Sequence, residues 1–199
     1  MKSLLFTLLL LASQIASAVT LSSIVDEKVP TVIAVKAEGK LVVYRPETRS
    51  TMINPALFGK MLSDEYDKIA YDIGKSKPVT PAGNFVIEKA YSTKMREPII
   101  MFIHGKKQVV AIHPLYLGKP GERRAERLAS ERVEDRRITN GCINVSADFF
   151  NMALISLPQR AKMVVLKEGE SLINDIEFNN IKVVGEYNDD DAGQLFQPR

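Results

Sequence analysis

The chain has a single cysteine, no tryptophan and only two histidines in 199 residues. One cysteine excludes an internal disulfide, so Cys142 is left as an intermolecular bridge, a buried inert thiol or a reactive nucleophile. Neither sign of charge dominates: 27 Lys and Arg face 24 Asp and Glu, which excludes the strongly basic footprint of a nucleic-acid binder. No stretch repeats along the sequence in the manner of a solenoid or propeller. Beyond the N-terminus no segment is apolar enough to form a stable membrane span.

The N-terminus is the exception to that shortage of apolar runs. Lys2 precedes an apolar stretch over 4–12, broken only by Thr7, and Ala16-Ser17-Ala18 follows as a small-x-small site. This is the pattern of a secretory signal, too short to span a bilayer, and it places the chain in the periplasm or outside the cell from Val19 onward. About 180 residues then remain, enough for one domain with a real core. Loss of the signal removes one of the 27 basic residues and no acidic one. The expected organisation is a signal peptide over 1–18, a catalytic-type domain over 19–167 and an acidic C-terminal extension over 168–199.

Strand signals fill most of the first two thirds. Short β-branched runs at 29–35 and 40–44 flank Glu38-Gly39 and predict a hairpin. A helix is expected over about 63–70, a strand over 84–91 after the turn chemistry of "SKPVTPAG", and two strands over 99–104 and 108–113 around Gly105-Lys106-Lys107. Turns at this spacing predict a mainly β domain of sandwich or barrel type. Residues 119–137 break the pattern. Seven basic and five acidic residues interleave there among good helix formers, with Arg127/Glu131 and Arg132/Asp135 at helical spacing, so a solvated, charged helical insertion is expected. "SADFFNMALISL" then reads as an amphipathic helix capped by Ser146 and ended by Pro158, and "AKMVVLKEG" as a last strand.

A nucleophilic cysteine needs a base, and histidine is the usual one. Both histidines, His104 and His113, precede Cys142. Papain-like peptidases place the histidine after the cysteine, so that class is excluded. His104 ends a strand beside a turn and reads as a partly exposed structural residue; His113 is the better base.

The segment "TNGCIN" downstream of "AIHPL" resembles the active-site signature of the YkuD-type L,D-transpeptidases, a His followed later by Ser/Thr-His-Gly-Cys-x-Asn/Arg. Thr139, Gly141, Cys142 and Asn144 match it, and His113 stands where the upstream His belongs. "TPAGNFVI" is similar to the family's Thr-Pro-x-Gly-x-Phe segment, at Thr80, Pro81, Gly83 and Phe85. Two departures stand out: Asn140 replaces the motif's own His, and Pro114 follows His113.

The resemblance implies a β-rich L,D-transpeptidase-type catalytic domain. Cys142 would be the nucleophile and His113 its base, with a thiol made reactive well below its ordinary pKa. Thr139, Asn140, Gly141 and Asn144 would support the site, and the N–H groups of Gly141 and Cys142 would bind the oxyanion. His104, Phe102 and Tyr116 would line the substrate groove. The implied substrate is a peptidoglycan stem peptide, cut between the diamino acid and the terminal D-Ala, with the acyl group passed to an amine on another stem or on a wall-anchored protein. No metal or organic cofactor is implied. A hydrolase of the same linkages shares the same thioester, and a non-catalytic peptidoglycan-binding relative is the alternative that Asn140 raises.

Overall fold

The computed structural model describes residues 17–176 and the backbone of 181–183. Most of the expected signal segment and much of the acidic extension lie outside the described residues. Strands dominate, and the helices are short. In chain order the strands are β1 (Ala18–Thr20), β2 (Thr31–Val35), β3 (Lys40–Arg45), β4 (Ser50–Pro55), β5 (Phe58–Gly59), β6 (Gly83–Val86), β7 (Glu88–Ser92), β8 (Glu97–His104), β9 (Val109–Pro114), β10 (Arg137–Thr139), β11 (Ile143–Val145), β12 (Lys162–Val165), β13 (Ser171–Ile173) and β14 (Ile181–Val183). The α-helices are α1 (Leu21–Ile24), α2 (Lys68–Ile73), α3 (Arg124–Ala129) and α4 (Ala147–Phe149).

Two mixed sheets form the body. One runs β14-β4-β3-β2-β12-β6, the other β11-β9-β8-β7. Val32, Ala34, Leu41 and Val43 of the first and Ile100, Ile112 and Ile143 of the second share one core with Phe149, Phe150 and Leu154. The opposite face of the larger sheet is also covered: Ile33, Val35, Val42 and Val164 pack on Leu21, Val19 and Leu172. That explains why β2 has every residue buried instead of alternating. The hairpin expected at 29–44 is present as the antiparallel pair β2–β3, with Gly39 taking the left-handed conformation (φ 61°) that the turn requires.

Three expectations change in detail. The single strand at 84–91 is two strands in different sheets: β6 pairs with β12 and β7 with β8. Ile87 divides them because its N–H donates to Ala161 O and its carbonyl accepts from Arg160 N–H. The helix expected from residue 63 begins at Lys68, where Asp67 accepts from Ala70 N–H at 3.0 Å as its cap. The helix after Ser146 starts with that cap, Ser146 Oγ accepting from Phe149 N–H at 3.2 Å, then widens into a π-turn over Phe150–Leu154.

The insertion is not one helix. It is a 3-10 turn (Pro120–Glu122), α3 and a second 3-10 turn (Val133–Arg136). Ser130 Oγ accepts from Arg132 N–H and donates to Asp135, which folds the chain back after α3. The helical pairing of Arg127 with Glu131 therefore does not form; Arg127 instead donates to the carbonyls of Glu122 and Asp135. Nor is the insertion merely solvated. Leu128 is buried, and Arg136 donates to Gly39 O at 2.8 Å across 97 residues.

At the start of the acidic extension, Glu168 takes a two-oxygen pair with Arg137 and lies 3.2 Å from the buried Lys36 Nζ. β13 pairs in parallel with β1. Among the described residues no helix is long and apolar enough to cross a membrane.

Candidate active site

The site begins with a strand register. β11 runs parallel to β9, with Ile143 beside Ile112, Asn144 beside His113 and Val145 beside Pro114. Side chains alternate across a strand, so Asn144 and His113 share a face, and Cys142 lies just before β11, two residues from Asn144. The 31-residue separation between His113 and Asn144 is closed by one parallel strand pair.

His113 is 4% exposed, and both of its ring nitrogens are engaged. Nδ1 lies 2.7 Å from Pro114 O, a pure acceptor, so Nδ1 carries the proton and donates. Nε2 then holds the lone pair and accepts from Asn144 Nδ2–H at 3.0 Å. Burial pushes the imidazole pKa down to about 4; the Pro114 carbonyl opposes this and the nearby Arg124 charge adds to it. The ring is neutral at pH 7. Glu97 Oε1 of β8 is 3.7 Å from Nδ1, and burial pushes that carboxyl up.

Cys142 is half-buried. Burial pushes its thiol above the ordinary value, and neither the hydrogen bond to the Ala111 backbone nor the Arg124 charge reverses this. The expectation of a thiol activated at rest is corrected: the pair rests as neutral thiol and neutral imidazole. A thiol and an imidazole that are both neutral at rest suit proton transfer during attack rather than a stored thiolate.

The loop into Cys142 is held from below. Gly141 has φ 118°, and a Cβ there would sit 2.6 Å from Val79 O, so only glycine fits. Thr80, from the "TPAGNF" segment, is fully buried; its hydroxyl accepts from Gly59 N–H at 2.9 Å and donates to Gly141 O at 2.9 Å. Thr139 Oγ1 accepts from Gly141 N–H at 3.1 Å and donates to Cys142 O. Gly141 N–H, expected as an oxyanion donor, is thereby committed to Thr139, which leaves the Cys142 N–H of the expected pair. Asn140 is exposed.

The expected groove residues divide. Phe102 is buried in the core, its ring 5.4 Å from that of Phe85, and is removed from any groove. His104 lies opposite Val109 at the far end of the hairpin, four residues along β9 from His113, and is exposed with Glu88 at 3.5 Å. Tyr116 stays near the site, with the Arg124 guanidinium 5.7 Å above its ring.

Sequence reading missed Arg124, Tyr71 and Glu97. Arg124 was passed over as one charge among twelve in a mixed-charge stretch, where alternating signs conceal a single inward-pointing arginine. Its guanidinium donates to Asn144 Oδ1, pairs with Glu122 at 2.6 Å, and is nearly buried. Tyr71, on α2, is buried, and burial raises its phenol to about 12; it is an electrostatic neighbour of Cys142. No spacing signal ties it to the motif. Among the described residues no three or more His, Cys, Asp or Glu side chains gather as a metal site.

No family model and no curated protein matches the chain. Three solved structures from Mycobacterium tuberculosis do. An L,D-transpeptidase matches at 11% identity and TM-score 0.44, covering 70% of this chain and 58% of that one. L,D-transpeptidase 3, solved with a faropenem-derived adduct, matches at 10% identity and TM-score 0.44, covering 70% and 60%. L,D-transpeptidase 1 matches at 14% and TM-score 0.37, covering 69% and 59%. The chain spans less than two thirds of the length of each. What the chain is similar to in these comparisons is the L,D-transpeptidase structure.

Proposed function

We propose that the protein is an exported cysteine acyltransferase of L,D-transpeptidase type, acting on peptidoglycan stem peptides. The observation that supports this reading is the parallel register of β9 and β11, which sets Asn144, two residues after Cys142, opposite a His113 whose Nδ1–H is locked to Pro114 O.

In the proposed reaction the Cys142 thiol displaces the Asn144 N–H from Nε2 and gives its proton to that nitrogen as sulfur attacks the peptide carbonyl. The tetrahedral oxyanion is met by Cys142 N–H, a donor whose loss costs about 3 to 4 kcal/mol of barrier in comparable sites. Collapse breaks the C–N bond, and the departing D-Ala amine takes the proton from Nε2. A thioester remains. An acceptor amine then attacks it, loses a proton to Nε2, and the thiolate leaving group recovers that proton. Water in place of the amine gives the hydrolase. The N-terminal signal pattern supplies the compartment in which such a substrate occurs.

Isolated muropeptides incubated with the mature protein and read by mass spectrometry test this. Loss of one D-Ala with formation of a cross-linked product, both absent with Cys142→Ala, is the expected result. A carbapenem should add one drug mass at Cys142. Binding to intact peptidoglycan without turnover or adduct would overturn the catalytic reading in favour of a wall-binding role.

A further inference from the structure

We infer that Arg124, carried into the site by the insertion, is a positioning residue for His113: acting through Asn144, it keeps Nε2 unprotonated. The consequence for catalysis rests on the reading of His113 as base, but the atomic relationship does not.

The argument is one of donors and acceptors. A guanidinium only donates, so the Asn144 atom that meets Arg124 must be the carbonyl Oδ1. With Oδ1 committed, the amide group left to face His113 is Nδ2–H, at 3.0 Å from Nε2. An N–H facing Nε2 can be accepted only by a bare nitrogen. At the other end of the ring the Pro114 carbonyl, 2.7 Å from Nδ1, only accepts. A pure donor at one end and a pure acceptor at the other therefore set every link of Arg124–Asn144–His113–Pro114.

Removal of Arg124 frees Asn144 Oδ1 of its donor. Asn144 can then rotate its amide and present Oδ1 to Nε2. The imidazole would face an acceptor on both sides, Pro114 O and Asn144 Oδ1, an arrangement that favours the doubly protonated ring and abolishes the base. Other charged and titratable groups facing the ring act in the same direction or weakly. Glu97 of β8, 3.7 Å from Nδ1, favours a protonated ring. Cys142 rests as the neutral thiol. Arg124 is thus the group that opposes Glu97. Its own geometry is fixed by Glu122 at 2.6 Å and by the Tyr116 ring, so it is built into place and not a free surface arginine.

The test uses the full mature protein labelled with 15N in the histidine rings. With two histidines in the chain, long-range 1H–15N correlation resolves all four ring nitrogens, and the exposed His104 supplies the other pair of signals. In the wild type, His113 should show a protonated Nδ1 and a bare Nε2 that gains its proton only near pH 4. Arg124→Met, which cannot donate, should raise that midpoint by about one pH unit or more, and Arg124→Lys, which still only donates, should hold it near the wild-type position. An unchanged midpoint in Arg124→Met overturns the proposal, as does a folded Arg124→Lys that behaves like Arg124→Met. If Arg124→Met does not fold, Arg124→Leu, equally unable to donate, asks the same question; a midpoint that stays put there is equally fatal. None of these measurements needs a substrate. A protein with the expected ring signals that is inert on muropeptides would sink the proposed function and leave this relationship standing.

Discussion

Asn144 and His113 stand directly opposite each other on parallel strands, and the amide nitrogen of the first meets Nε2 of the second at 3.0 Å. That pairing, together with Pro114 O on Nδ1, satisfies a ring that has almost no contact with water. It does so for the neutral form only, since a proton on Nε2 would point at an N–H.

Stability should therefore depend on pH through this histidine. Unfolded, its pKa is near 6.5; folded, it is pushed down to about 4. Below 6.5 the unfolded chain binds a proton that the folded chain refuses, so stability is fully present above that value and falls as pH drops toward 4. The loss amounts to about 3 kcal/mol once both states are protonated. Urea unfolding at several pH values, wild type against His113→Gln, isolates the contribution from the carboxylates that titrate nearby. Parallel curves for the two proteins would show that His113 is not held neutral. The acid limb of the pH profile for muropeptide turnover should likewise lie well below 6.5.

Thiol reactivity gives a second test. Burial holds the Cys142 thiol above its ordinary value, so iodoacetamide should modify the folded protein slowly at pH 7, with a rate that climbs only above the ordinary thiol range. Denaturation in urea should bring the midpoint back to the ordinary value of about 8.5. Rapid alkylation of the folded protein at pH 6 would reveal a resting thiolate and reverse this assignment.

The motif residues were legible in the sequence because their chemistry is local. Gly141 must be glycine where Val79 O leaves no room, and Thr139, Cys142 and Asn144 lie within six residues of one another. The β-rich class was legible for the same reason, from β-branched runs such as 29–35 and 40–44. What sequence reading missed depends on distance. Ile87 ends one strand and begins another only because Ala161 and Arg160 bind it sideways. Phe102 looked like a groove residue, but the pairing of the sheets buries it against Phe85. Arg124 could not be singled out, because one inward-facing arginine in an insertion with both charges looks like its solvated neighbours until the fold aims it at Asn144.

Thr80 should be the most sensitive position outside the strand pair. Its buried hydroxyl serves Gly59 N–H and Gly141 O at once, so Thr80→Val keeps the shape and leaves both backbone groups unpaired away from water. A cost of about 2 to 4 kcal/mol follows from two such groups, and the loop carrying Cys142 loses its support. Thermal denaturation should register the first effect. Turnover, or acylation by a carbapenem, should fall by more than the fraction of protein that unfolds. A variant with full stability and full acylation would show that the Gly141 loop holds itself.

The two histidines should separate cleanly. His104 is exposed at the far end of the hairpin, and its contact with Glu88 is a surface pair at 3.5 Å, worth about 0 to 1 kcal/mol. His104→Ala should leave stability and turnover nearly unchanged. His113→Ala removes the proposed acceptor of the Cys142 proton and leaves Asn144 Nδ2–H and Pro114 O without their ring partners, so turnover should fall by orders of magnitude. Exogenous imidazole at millimolar concentration discriminates loss of a base from loss of fold: partial recovery of thioester formation in His113→Ala is expected if the cleft survives. If His104→Ala is instead the damaging change, the base sits at the other end of β8 and β9, and the Cys142 thiol must reach it by a route this register does not provide.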